Sequence, residues 1–70
     1  MACKVVFTMD DRNKDLEDKR FASHAAVARA IPVGTEVSVQ ELSGSNKGWY
    51  RQVGKKDADS YWVSRPQMDY

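Results

Sequence analysis

The sequence predicts a small α+β domain: a four-stranded antiparallel sheet with one short helix, in the chain order strand, helix, strand, strand, strand. Three observations predict it. Residues 3–9 and 36–40 alternate apolar and polar side chains with the period of two expected of half-buried strands. Residues 22–30 are rich in alanine, the best helix former. Two aromatic pairs, Trp49-Tyr50 and Tyr61-Trp62, begin two further short runs separated by turn-forming residues.

The elements run in order. In residues 3–9, Val5, Phe7 and Met9 share one face, and the run stops at Asp10-Asp11, which favour turns. Residues 10–20 are dense in charge and hold a single aliphatic side chain, Leu16, which predicts a long polar loop or a frayed helical turn. Residues 23–30 predict a helix with Ser23 as its cap and Val27 and Ile31 turned to the sheet. Pro32 ends it, because the residue before a proline avoids the helical region. Residues 33–35 form a turn, and residues 36–40 a strand with Val37 and Val39 inward and room to run on to Leu42. The cluster at 43–48 is a turn, long for a tight hairpin. Residues 49–53 make the third strand, 54–59 a turn and 60–65 the fourth strand, which Pro66 ends. The expected core is Val5, Phe7, Val37, Val39, Trp49, Val53 and Val63. A second architecture fits the same pattern: a five-stranded small β-barrel in which the alanine-rich segment is a loop or an extended strand.

No repeat or linker divides residues 1–70, which are expected to form a single domain. The hydrophobic share of 41% is too high for a disordered chain, while no apolar run approaches a membrane span. The first residues lack the apolar stretch of a signal peptide, so a cytoplasmic location is expected, with no membrane partner. The single cysteine, Cys3, cannot form an internal disulfide or a CxxC pair. A net charge of +1 gives no overall attraction to nucleic acid, but its distribution is uneven. Residues 10–18 are acidic and residues 47–65 mildly basic.

From residue 31 onward the chain resembles the SH3-like small barrels, including the bacterial type. The residues that carry the likeness are Val33-Gly34-Thr35-Glu36-Val37-Ser38-Val39, then Gly48-Trp49-Tyr50-Arg51, Tyr61-Trp62-Val63 and Pro66. The resemblance spans residues 31–70 and implies the five-stranded barrel.

Little in the sequence points to catalysis. His24 is the only histidine, and no metal ligands stand at ligand spacing from it. Asp10 and Asp11 are adjacent in a turn. There is no phosphate-binding glycine loop and no GxSxG nucleophile motif. A non-enzymatic protein without cofactor or metal is expected.

The aromatic pairs point instead to binding. Neighbours on a strand face opposite ways, so Trp49 and Tyr61 should turn to the core with Val53 and Val63. Tyr50 and Trp62 should then share the other face, flanked by Gln52 and Ser64. Lys47, Arg51, Lys55, Lys56 and Arg65 are their neighbours in sequence and complete the candidate site. Such a mixture suits a protein surface, where aromatic residues and arginine are enriched. It also suits nucleic acid, with rings stacking on bases and cations on phosphates. The first expectation is a protein-binding module, an adaptor or inhibitor of the kind small phage-encoded proteins supply against a host enzyme or defence complex. The alternatives are a nucleic-acid-binding small barrel and a subunit of a larger assembly.

Overall fold

Residues 2–68 are described by a computed structural model. Five strands, β1 (Cys3–Thr8), β2 (Arg20–Phe21), β3 (Glu36–Glu41), β4 (Tyr50–Asp57) and β5 (Ser60–Val63), form one antiparallel sheet in the order β2-β1-β3-β4-β5. The helix α1 (His24–Ala30) lies between β2 and β3 in the chain and packs on β4, β2 and β5. Because β2 and β5 are the two sheet edges, one short helix can touch both only if the sheet curls around it. The result is a half-barrel with α1 in its concave side. Among the described residues no helix is long and apolar enough to cross a membrane.

The sheet therefore has five strands rather than the expected four. The added strand, β2, is two residues long, too short to show any periodicity. Of the two forms expected for the charged stretch before it, the helical one is found: a 3-10 helix, Asp11–Leu16, with Asn13 and Leu16 buried. Asp10 caps this helix, accepting from the Arg12 amide at 2.9 Å and from its guanidinium at 2.7 Å. The Arg12 contacts hold the half-buried Asp10 carboxyl down at about 2. Asp18 then takes a left-handed conformation (φ 70°), which aspartate tolerates better than most residues. Its amide donates to the Val5 carbonyl at 2.7 Å, and the Val5 amide donates to the Lys19 carbonyl at 3.0 Å. The chain is thereby turned back alongside β1.

The helix forms as its sequence requires. Ser23 Oγ accepts from the Ala26 amide at 3.1 Å, and Ile31, before Pro32, is already extended at φ −102°, ψ 150°. Seven residues of helix persist only through packing, and Val27, Ala28 and Ile31 supply it. Gly34, at φ 84°, makes the turn into β3, and its amide donates to the Lys55 carbonyl at 2.9 Å.

The register sorts the side chains into two faces. Toward α1 lie the rows Phe21, Cys3, Glu41; Val5, Val39, Arg51; and Thr8, Val37, Val53, Val63. Toward the other side lie Arg20, Lys4, Gln40, Tyr50; Phe7, Ser38, Gln52; and Glu36, Gly54, Trp62. The core is Cys3, Val5, Leu16, Val27, Ala28, Ile31, Val37, Val39 and Val53.

Four residues expected to turn to the core differ; one is Tyr61, which lies on the helix side near the hairpin tip but is 44% exposed. Phe7 is 44% exposed, because a bulge between Val5 and Thr8 inserts one residue. Val6 and Phe7 both fall between the inward Val5 and Thr8, so Phe7 is carried to the outer face and Thr8 takes its place inside. Trp49 is half-buried ahead of β4, and Val63 is partly buried against the core rather than within it. The strand limits also shift. β4 continues through Gly54 to Asp57, so the turn expected at 54–59 shrinks to residues 58–59, while β5 ends at Val63. Tyr70, in the segment resembling an SH3-like barrel, lies outside the described residues.

The bulge predicts opposite outcomes for two truncations. Val39→Ala, deep in the core, should cost about 2–4 kcal/mol in urea unfolding. Phe7→Ala should cost about 1 kcal/mol or less, well under the loss expected of a buried phenylalanine.

Candidate binding faces

The seven candidate residues do not form one surface. Tyr50 and Trp62 do share the helix-free face, with Gln52 and Ser64 between them. They stand four positions apart along β4, roughly 13 Å at strand rise. Trp62 is only half-exposed, although α1 lies on the other side of the sheet. It is covered from below: its ring lies against Gly54, where a Cβ would collide with the indole. Tyr50 Oη accepts from Gln40 Nε2 at 3.4 Å.

The cations scatter. Arg51 points into the concave side and is half-buried against Glu41, so it is not a rim contact for Tyr50 and Trp62. Lys55 faces the helix side opposite Tyr61. Lys56 is the extra residue of a second bulge, between Lys55 and Asp57, and is exposed near the hairpin tip. Lys47 is exposed in the β3–β4 turn, at the other end of the eight-residue β4. Arg65 is exposed just beyond β5.

The structure adds residues to the helix-free face that the sequence pattern did not suggest. The first bulge supplies Phe7, with Lys14 Nζ 5.8 Å above its ring, and the 81%-exposed Met9 comes next along the chain after Thr8. Phe7 and Met9 border a shallow hollow of about 120 Å³ that Glu36, Ser38 and Gln52 complete. Lys4 and Arg20, adjacent in register, bring two cations to the β2 end of the same face.

The concave side holds a polar cluster. Glu41 is fully buried, yet its Oε1 takes two partners: His24 Nε2 at 2.8 Å and Arg51 Nε at 2.5 Å. Arg51 Nε approaches off its N–H direction, so that contact is an ion pair rather than a directed hydrogen bond, and among the described residues Oε2 has no hydrogen-bond partner. Arg51 also donates through Nη1 to the Ser64 carbonyl at 3.1 Å. His24 begins α1, so the cluster joins the helix to β3, β4 and the end of β5. Its signal was present in the sequence: Glu41 continues the inward parity of Val37 and Val39. Cys3, opposite Glu41, is also buried. Burial first, and then the neighbouring Glu41 charge, push its thiol up to about 11, so it stays a neutral thiol at pH 7. Among the described residues no three His, Cys, Asp or Glu side chains are grouped to hold a metal ion.

No family model, curated protein or solved structure matches the chain.

Two measurements check this geometry. Gly54→Ala should displace the Trp62 ring and cost about 1–3 kcal/mol, read by tryptophan fluorescence and urea unfolding in a Trp49→Phe background. Cys3 gives a pH signature. Its folded value of about 11 exceeds the unperturbed thiol's 9.0, so above pH 9 the unfolded chain releases a proton that the folded chain keeps. Its contribution to stability is complete below pH 9 and is lost as pH rises to about 11. The fall in stability across that window should be shallower in Cys3→Ala.

Proposed function

We propose that this chain is a non-enzymatic binding module that docks another protein on its helix-free sheet face, as an adaptor or inhibitor. The observation that carries the reading is the bulge at Val6–Phe7. A regular strand would have buried Phe7; the bulge places it beside Met9 on the one sheet face that no helix covers. Tyr50 and Trp62 lie on that face too, and its interior is otherwise neutral: Ser38, Gln40, Gln52. Aromatic side chains with methionine at the centre and charge at the edge is the anatomy of a protein interface. The shallow hollow between Phe7 and Glu36 suits one protruding apolar side chain of a partner, and Lys4 and Arg20 favour acidic groups beside it.

Nucleic acid is the second reading, and one observation favours it: Arg20, Lys4, Gln40 and Tyr50 form a single row across the face. Cations beside an aromatic ring on an open sheet suit a single strand.

The deciding experiment uses the whole chain immobilised in lysate, with and without nuclease, beside a Phe7→Ala/Trp62→Ala variant checked for folding. A protein partner should be captured regardless of nuclease and lost from the variant, with affinity falling by at least about thirtyfold, the effect of losing an interface anchor of about 2 kcal/mol. Titration with labelled single-stranded and duplex oligonucleotides at two salt concentrations tests the other reading. Binding that weakens steeply with salt would replace the protein reading with the nucleic-acid one. Capture that the variant retains would remove this face from the function.

A further inference from the structure

A second site lies on the opposite side of the molecule, where α1 meets the β4–β5 hairpin. A groove of about 320 Å³ opens there, at the lower end of the range for small-molecule pockets, roughly 300–1,000 Å³. Ala25 and Ala28 of α1 supply methyl groups to its floor, and Tyr61, 44% exposed, forms one wall. Arg29 and Lys55 line it from the two sides, one from the helix and one from β4, and Asp59 stands at the hairpin tip. Among the described residues neither Arg29 nor Lys55 forms an ion pair, and neither does Asp59. The lining therefore carries one positive charge in excess.

The hairpin that shapes the groove is built for it. Asp57 accepts from the Asp59 amide at 2.8 Å, which tightens the two-residue turn. The bulge at Lys56 re-aims the strand so that Lys55 stays opposite Tyr61, on the helix side, while Lys56 is left exposed. Lys55 is half-buried, its stem lying along the groove.

We propose that this groove binds a small organic monoanion with a flat apolar body, of the aromatic carboxylate class. The carboxylate sits between Arg29 and Lys55, where arginine's planar fork matches it. The ring lies over the alanine floor and against Tyr61, which offers a face for offset stacking. Asp59 repels a second negative charge, so a monoanion fits better than a dianion. The site is independent of the helix-free face and of any protein partner bound there.

The test is a titration of the isotope-labelled full chain, monitored by amide chemical shifts. The probes are benzoate, its uncharged counterpart benzyl alcohol, its cationic counterpart benzylamine, and sulfate, each to roughly 10 mM, the range in which ligands of this size bind. Benzoate should give saturable shifts confined to α1 and the β4–β5 hairpin. Benzyl alcohol, benzylamine and sulfate should bind at least about tenfold more weakly, since each lacks either the charge or the ring. Arg29→Gln with Lys55→Gln should weaken benzoate about tenfold. Ala25→Leu, which fills the groove and leaves both charges, should weaken it comparably. Were the paired glutamine variant to lose its fold, Ala25→Leu alone would carry the decision. No saturation, equal binding of sulfate or benzyl alcohol, shifts scattered over the surface, or indifference to these substitutions in folded protein would each overturn the assignment.

Discussion

Much of the architecture hangs on one buried carboxylate. Glu41 has no exposed side-chain surface, and removing such a charge from water costs several kcal/mol unless partners offset it. Its partners come from different parts of the chain: His24 from the first turn of α1 and Arg51 from β4. Arg51 in turn reaches the carbonyl of Ser64, past the end of β5. A seven-residue helix has little of its own to fix its angle on a sheet. The His24–Glu41 contact fixes one end of it, and Val27, Ala28 and Ile31 seat the rest. Moving α1 would leave the carboxylate short of a partner, so the curl of the sheet and the placing of the helix are set together.

The two faces acquire their characters from departures from regular strand geometry. Bulges in β1 and β4 decide which of two successive side chains goes to which side. The first sends Phe7 outward; the second keeps Lys55 beside Tyr61 while Lys56 turns away from the core. Gly54 is a third departure, since only a residue without Cβ lets the Trp62 ring lie flat on the sheet. That contact makes a half-buried tryptophan stable on a face with no second layer over it.

The same features set how far the fold was legible in the sequence. The helix and the later strands were readable because capping, proline and period-two signals are local: Ser23, Pro32, Val37 and Val39 behave as their positions require. The bulges were not readable, because nothing in Val5-Val6-Phe7-Thr8 or Lys55-Lys56-Asp57 marks where a register will slip. A slip of one inverts the facing of every later side chain in the strand, and so the alternation of β1 wrongly implies an inward Phe7. Arg51 and Lys55 are close in sequence to Tyr50 and Trp62 but share no face with them, since strand parity sends them to the helix side. The pairing of Tyr50 and Trp62 on one face survived because no bulge falls between Tyr50 and Gly54. β2 was invisible for another reason: it is made by Asp18 and Lys19 hydrogen-bonding Val5, a contact between distant residues rather than a pattern in either.

The bulge in β1 also has a consequence for how such a chain can change over generations. Val6 is the extra residue; a chain lacking it would pair β1 with β3 in unbroken alternation. Phe7 would then follow Val5 directly and keep its place opposite Ser38 on the outer face, and Thr8 would stay opposite Val37 inside. Both side chains lie beyond the irregularity and keep their partners on β3, so the outer aromatic and the inner threonine outlast the bulge itself. A single in-frame codon deletion at Val6 thus removes the irregularity without exchanging the two faces, and leaves the pairing of β1 with β3 on either side of it where it is.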